Sequence, residues 1–273
     1  MGKDRSVRYH NRVARRYDAI YDDAYWLAHD EITWRLVKPH LPRDLGARCL
    51  DLGCGTGKWG LKLLKSGYAT TFVDHAPAMI GEVRERLEQM GARGAKGDAL
   101  VADIVAMPAV PDEQFALVLA MGDPLSICSD PMRAAAEMFR VTAPGGTVIA
   151  TADNRIAAAA HYLESSDLDG LERLLRSGKT RWLTDSAAEQ FELTTFTPDG
   201  LRKLFERCGF EVLDVVGKTV LPLRAHRQLL EAPDLRRRLV DLELELSREP
   251  HTAAAAAHLQ ITARKDTSRS QRG

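Results

Sequence analysis

Residues 50–60 read LDLGCGTGKWG, a short apolar run that breaks into three alternate glycines and then resumes as a helical pattern. Glycines 53, 55 and 57 let the backbone take positive φ and put no Cβ between the loop and whatever lies against it. ARCLDLG (47–53) reads as a strand and WGLKLLKSG, closing on Gly67, as a helix, so the motif is a strand, a sharp turn and a helix. Working outward, the unit repeats: ATTFVD (69–74) is rich in β-formers, and Pro77 opens a helical segment ending near Gly91. ALVADI (99–104), FALVLAM (115–121) and GTVIATAD (146–153) supply a third, fourth and fifth strand, with Asp130 and Pro131 opening a helix between the last two. FEVLDVVG (210–217) and AHLQITARK (257–265) supply a sixth and seventh. Strands alternating with helices at this spacing require a parallel sheet covered on both faces, because each crossover must return the chain to the same edge. The fold class is α/β.

The rest of the chain hangs on that sheet. Asn11 to Lys38 is helix-compatible and stops at Pro39 and Pro42, which makes 1–42 an N-terminal helical cap. Residues 43–265 form the main domain, with inserts expected at 154–196 and 223–256, and 266–273 (DTSRSQRG is 266–273) a polar, frayed tail. Within the second insert Leu235, Leu239, Leu242 and Leu246 form a stripe expected to face the core. The 273 residues suffice for a sizeable core, and 38 basic against 38 acidic side chains leave no global field to draw nucleic acid or an anionic membrane. The basic run Arg236 to Arg238 reads as a solvated helix face. The N-terminus carries no secretory apolar run, no stretch approaches the roughly 20 apolar residues of a bilayer-crossing helix, and the cysteines at 49, 54, 128 and 208 lack metal-ligand spacing. Reduced thiols and a cytoplasmic location are the expectation.

Ligands of open parallel sheets bind outside the carboxyl ends of the strands, where strand order reverses, and the glycine loop is in that place. Its glycines alone do not name the ligand: Gly55, Gly57 and Gly60 also satisfy G-x-G-x-x-G, with Asp74 about 20 residues on, as in nicotinamide binders. The charges discriminate better. Asp51, Asp74, Asp103 and Asp123 each fall at or just beyond the end of one of four successive strands. A pyrophosphate would be repelled by such a rim, whereas a ligand bearing an ammonium, ribose hydroxyls, an adenine amino group and a sulfonium suits it. S-adenosylmethionine is that ligand.

With DLGCGTG (51–57), VDHAPAMI (73–80), VADI (101–104), ALVLAMGDP (116–124) and FRVTAPGGTVI (139–149), residues 47 to about 265 resemble a class I S-adenosylmethionine-dependent methyltransferase. The resemblance implies a Rossmann-like, doubly wound seven-stranded sheet with six parallel strands and the last antiparallel. It implies that Asp51 orders the methionine ammonium, that Gly53, Cys54, Gly55 and Gly57 pack on the methionyl and ribose parts, and that Asp74 accepts from the ribose hydroxyls. Asp103 with the Ile104 backbone would read adenine, Met79 cover its face, and Met121 and Gly122 contact the methionine moiety. Asp98, five residues before Asp103, is a second candidate for the adenine acid, and His75 replaces a smaller residue usual after the ribose acid.

Tyr17 and Tyr21, four apart on one helical face, sit in a segment that closes over the cofactor in resembling enzymes; hydrophobic packing is the plain alternative. Tyr21, Tyr25, Trp26, His29, Asp123, His161, Trp182 and His226 are candidates for the acceptor pocket, each with packing or turn-shaping as its plain alternative. The expected reaction is methyl transfer to a small-molecule acceptor by in-line displacement, yielding S-adenosylhomocysteine, with no metal and no nucleic acid or membrane partner. Such chemistry depends on holding donor and acceptor about 3 to 3.5 Å apart in a dry site, and a general base is needed only for a protonated nucleophile. His29, His75, His161 and His226 are base candidates, and the catalytic residue stays unassigned. The Ala, Arg and Leu content resembles tailoring methyltransferases of bacterial secondary metabolism. Action on a protein or RNA, an NAD-linked oxidoreductase and a non-catalytic cofactor-binding protein remain alternatives, and the oligomeric state, monomer or homodimer, stays open.

Overall fold

The computed structural model describes residues 2–181, 190–249 and 251–267. Helices α1 (Gly2–Val13), α2 (Tyr17–Ile20) and α3 (Ala24–Val37) precede strand β1 (Arg48–Leu52). Then follow α4 (Lys58–Lys65), β2 (Ala69–Asp74), α5 (Pro77–Gln89), β3 (Gly97–Val101) and β4 (Phe115–Ala120). The short α6 (Pro124–Ile127) and α7 (Pro131–Val141) lead into β5 (Thr142–Asp153). Helices α8 (Arg155–Glu164) and α9 (Leu168–Ser177) and the small hairpin β6 (Lys179–Arg181) and β7 (Glu192–Thr194) come next. The chain ends through α10 (Pro198–Arg207), β8 (Phe210–Lys218), α11 (Pro233–Leu246) and β9 (His258–Lys265).

Seven strands form one sheet in the order β3-β2-β1-β4-β5-β9-β8, and only β9 runs antiparallel to its neighbours. Strand order reverses between β1 and β4, because the chain moves outward through β2 and β3 before returning to the other side of β1. That is the switch point at which such sheets bind ligands. The alternation of side chains along β1 shows how both faces are covered. Leu50 and Leu52 join a core with Val118, Ala120, Met138, Leu201 and Phe205, whereas Cys49 packs with Leu117, Leu119, Trp59, Leu63 and Val37.

Two expectations shift. The third strand begins at Gly97 and ends at Val101, two to three residues early, because Gly97 pairs with Thr70 and the chain turns at Asp103, whose Oδ1 accepts from the Val105 N–H at 3.2 Å. The leucine stripe of α11 is a correction in part: Leu239 packs half-buried against the core of Tyr25, Ile32 and Leu230, but Leu235 and Leu242 are exposed, and the buried residues are Val240, Glu243 and Leu244. Glu243 sets that rotation by accepting from the Val220 and Leu221 N–H groups at 2.9 and 2.7 Å. A buried carboxylate with two backbone donors is anchored more firmly than an apolar stripe that a one-residue roll would serve as well.

Candidate active site

The loop after β1 is shaped by close approaches. Gly53 has φ +62°, and a Cβ there would meet Pro124 Cβ at 2.6 Å, so the loop lies against the end of β4. At Gly55 (φ +54°) the only neighbour of such a Cβ among the described residues is Tyr17, at 3.7 Å, which leaves a cradle open beneath the tyrosine. Asp74 at the end of β2 braces this loop: its Oδ2 accepts from the Gly55 N–H at 2.9 Å and its Oδ1 from the Ala76 N–H at 2.8 Å. Asp51 lies below, fully buried, with Oδ2 accepting from the Gly60 N–H at 2.7 Å and Oδ1 without a hydrogen-bond partner among the described residues. Burial pushes its carboxyl up to about 7, with the Asp74 charge adding and the Gly60 N–H opposing.

These groups border a cavity of about 1060 Å³. Of the residues expected at a cofactor, Tyr17, Gly53, Cys54, Gly55, Asp74, His75, Asp103, Ile104, Met121 and Gly122 all line it. Asp51, Gly57 and Met79 are not on its wall. Asp51 stands behind the loop, Gly57 (φ +88°) starts α4 against Phe72 and Val83, and Met79 packs beneath the cap with Val13 and Ala14. Asp98 is at the far end of β3, beside Arg48 and Phe115, so of the two adenine candidates only Asp103 reaches the cavity. The Cys54 thiol is buried and raised well above the usual range by desolvation, which leaves it inert. All four cysteines are free thiols.

The cap roofs this space. Thr56 Oγ1 donates to Asp18 at 2.5 Å, and Arg86 reaches from α5 to Asp18 Oδ2 at 2.7 Å and to the Thr56 carbonyl at 2.8 Å. One guanidinium thus ties the roof to the glycine loop. Arg86→Ala is expected to loosen the cap and weaken cofactor binding by about 1 kcal/mol, roughly fivefold. Faster hydrogen exchange in 14–24, with the sheet unchanged, is the accompanying signature.

Of the residues expected at an acceptor, Tyr21, Tyr25, Trp26, His29 and Asp123 line the same cavity. His161 on α8 and His226, which is exposed, do not reach it, and Trp182 lies outside the described residues. The rings form a continuous wall: Tyr17 to Tyr21 at 5.0 Å between centroids, Tyr21 to Trp26 at 4.9 Å, Trp26 to His29 at 5.2 Å and His29 to His258 at 5.3 Å. The Arg224 guanidinium stacks over Tyr25 and Trp26 at 4.9 and 5.3 Å.

At the end of this wall lies a polar cluster of which the sequence offered Asp123 and His29 but not His258, Asp153 or Lys218. His258 Nδ1 is 2.9 Å from Asp123 Oδ2 and 3.9 Å from Asp153 Oδ1. Asp123 sits at φ +63°, a conformation costly for a non-glycine residue, and its N–H and that of Gly122 both donate to Thr151 Oγ1 at 3.0 Å. Burial alone would raise the Asp123 carboxyl, but His258 and the Lys218 ammonium outweigh it and hold it well below the usual range. Asp153 moves the other way, to about 7, through desolvation and the Asp123 charge. Lys218 is buried, donates to Thr33 Oγ1 at 3.1 Å, and is lowered to about 8 by desolvation. It lies 3.4 Å from His29 Nε2, and burial followed by that ammonium drives His29 down to about 3. His29 is therefore a neutral ring, unable to keep a proton that it accepts. Asp123, Asp153 and His258 also bring one potential ligand atom each within 4.8 Å of one another, the only such metal-sized group among the described residues.

The comparisons with known proteins agree with this geometry. Residues 49–146 match a family model described as a methyltransferase domain. A phosphatidylethanolamine N-methyltransferase of Cereibacter sphaeroides is 34% identical over 50% of this chain and 66% of its own length. A demethylmenaquinone methyltransferase of Thermus thermophilus is 37% identical over 51% of this chain and 61% of its own length. The chain thus spans less than two thirds of the length of either relative. A solved structure of a Methanosarcina mazei protein described as a SAM-dependent methyltransferase superposes with a TM-score of 0.61 at 20% identity, covering 85% of this chain and 97% of that one. The buried, unpartnered Asp51 Oδ1 and the open cradle at Gly55 fit a cofactor with a cationic end and a flat ribosyl body. The fold is that of solved S-adenosylmethionine-dependent methyltransferases, and residues 49–146, which hold the glycine loop and the carboxylates of Asp51, Asp74 and Asp103, are similar to a methyltransferase domain.

Proposed function

We propose that the protein transfers a methyl group from S-adenosylmethionine to a small-molecule acceptor held beneath the N-terminal cap. The observation that carries this reading is one continuous cavity whose wall runs from the glycine loop to the ring wall and the Asp123 cluster. A roofed cavity of this size favours a compact acceptor over a polymer, and the two curated relatives named above are called methyltransferases of a phospholipid and of a quinone precursor.

When bound, S-adenosylmethionine supplies an electrophilic methyl group, taken by the acceptor in an in-line displacement. The chain contributes orientation and the exclusion of water. Asp74 accepts from the ribose hydroxyls, Asp103 and the Ile104 backbone read the adenine edge, and Gly53 and Gly55 let the main chain approach without a Cβ between. Asp51 answers the ammonium from behind the loop. Met121 and Gly122, at the end of β4, border the methionyl portion, and Tyr17 closes the cradle from the cap. His75 borders the same compartment, with the His10 ring 5.8 Å away.

Calorimetry with S-adenosylmethionine and S-adenosylhomocysteine tests the cofactor roles. Asp74→Ala is expected to weaken binding by about 1 to 3 kcal/mol through the lost hydrogen bonds. Asp74→Asn, which keeps an acceptor oxygen for the Gly55 N–H, separates loop bracing from ribose contact. Unchanged affinity in the alanine variant rejects the ribose role. Transfer of labelled methyl to metabolite fractions but not to total RNA or protein is the expected pattern, and label confined to macromolecules overturns the small-molecule reading.

A further inference from the structure

We infer that His258 is the general base of the reaction, positioned by Asp123, and that the acceptor is a phenolic hydroxyl whose ring lies along the aromatic wall of the cavity. This rests on the methyl-transfer reading above and adds to it the acceptor's chemical class and the group that takes its proton.

The geometry is that of a base with an orienting carboxylate. His258 Nδ1 and Asp123 Oδ2 stand 2.9 Å apart, so the carboxylate holds the ring proton on Nδ1 and leaves Nε2 as the proton acceptor of a ring that lines the cavity. Asp123 occupies the last position of the switch-point loop in a left-handed conformation and spends its side chain on His258 rather than on capping the helix it precedes. A strained residue held to Thr151 by its own N–H and by that of the preceding Gly122 is the kind of outlier from which a functional role is argued. His29, Lys218 and Asp153 are the other titratable groups around His258 and its partner, with Tyr21 facing Asp123 from the cap. His29 Nε2 and Lys218 Nζ lie 3.4 Å apart, and both residues line the cavity. A shared cation is the competing use of Asp123, Asp153 and His258. It would have to part the Nδ1 to Oδ2 hydrogen bond, because a divalent transition metal holds each ligand atom at about 2.0 to 2.2 Å.

The ring wall gives the acceptor its class. Successive centroids 4.9 to 5.3 Å apart lead from Tyr17, at the glycine loop, to His258. A flat aromatic body packs edge-on or offset against such a surface, and only a nucleophile that still carries its proton needs a base. In the step, the phenol O–H bond breaks and its proton passes to His258 Nε2. The oxygen lone pair forms the new O–C bond, and the C–S bond breaks with its electron pair returning to sulfur, so the sulfonium becomes a neutral thioether. Asp123 balances the imidazolium until its proton is lost to water.

The test uses the full-length protein with methyl-labelled S-adenosylmethionine and a panel of hydroxybenzoate, catechol and naphthohydroquinone, set against benzylamine and thiophenol. Label on a phenolic oxygen is expected. His258→Gln should lower kcat by about 10² to 10⁴-fold and abolish the acidic limb of the pH–rate profile, with S-adenosylmethionine affinity within threefold of wild type by calorimetry. Nitrogen-15 NMR of the histidines gives a readout without turnover: His258 is expected as the Nδ1–H tautomer, a preference lost in Asp123→Ala. Label on the amine or thiol alone, or no phenol methylated while the cofactor binds, overturns the acceptor class. A His258→Gln enzyme with wild-type rate and pH profile, an Nε2–H tautomer, or turnover abolished by a chelator and restored by magnesium or zinc, overturns the base. Failure of the wild-type protein to bind S-adenosylmethionine overturns the parent reading instead.

Discussion

Gly60→Ala is expected to destabilise the protein by about 2 kcal/mol, lowering Tm by roughly 4 to 8 °C, and to weaken S-adenosylmethionine binding about tenfold or more. A Cβ at this position would stand 2.2 Å from Phe72 Cε1 and 2.8 Å from Cδ1 and Cζ. Phe72 has nowhere to go. It is fully buried among Leu64, Ile80, Val83 and Ala99, and Gly57 already approaches the same two ring atoms, Cε1 and Cδ1. The first turns of α4 must therefore move off β2. Overpacking of this kind costs about 1 to 3 kcal/mol, and the better helix propensity of alanine returns less than about 1 kcal/mol of it in so crowded a place. The cofactor effect has a separate cause. Gly60 donates its N–H to Asp51, so moving the helix pulls a donor away from a buried carboxylate at the base of the cradle. Gly81→Ala is the control: it also lies in a helix, but nothing is within 4 Å of the added carbon, and it is expected to be neutral or stabilising by up to about 1 kcal/mol. Chemical denaturation and calorimetry of both variants distinguish a packing clash from a general intolerance of helical glycine replacement.

That packing belongs to the half of the candidate site, around the glycine loop, that was legible in the sequence. The glycines, the strand ahead of them and the carboxylates at the strand ends are local consequences of one βα unit repeated, and each unit carries its carboxylate at the same place. Asp74 and Asp103 could be located by counting to the end of a strand. The acceptor half has no such regularity. His258 and Asp123 meet across 135 positions of sequence. They meet because β9 inserts antiparallel between β5 and β8, which pairs His258 with Asp153 at the carboxyl edge of the sheet. The antiparallel strand was foreseen through family resemblance, but not the consequence that its first residue, unlike those of the parallel strands, lies at the ligand end. Reversing one strand direction would have been signal enough to find His258. The α11 leucines failed for a different reason, since hydrophobic periodicity cannot register a buried glutamate as the residue that sets a helix's rotation.

Affinity for S-adenosylmethionine is expected to rise roughly tenfold or more between about pH 5.5 and pH 7.5, and Asp51→Asn is expected to remove most of that dependence. The cause is the state of one buried carboxyl. Desolvation holds Asp51 up to about 7, so below neutrality the cofactor-free protein keeps it protonated. For folding, a carboxyl raised from an ordinary value near 3.9 means that the folded chain binds more protons than the unfolded chain between about pH 4 and 7. Stability of the cofactor-free protein therefore falls as pH rises through that window, by at most about 4 kcal/mol if the other groups were unchanged, and the loss is complete above it. A bound ammonium reverses the preference, because a nearby positive charge favours the ionised form. Binding below neutrality must then expel the Asp51 proton, and the work of doing so appears as weaker affinity. Calorimetry in two buffers of different ionisation heat reads the proton release directly. Asp51→Asn has no proton to expel, so its affinity should be low and nearly flat with pH, while the share of the stability fall between about pH 4 and 7 that belongs to Asp51 should vanish and the share that belongs to Asp153 remain. Equal affinity of the wild-type protein at both pH values, with no proton released, would show that the unpartnered Oδ1 answers something other than the cofactor's ammonium. The carboxylate would then serve only to hold the start of α4.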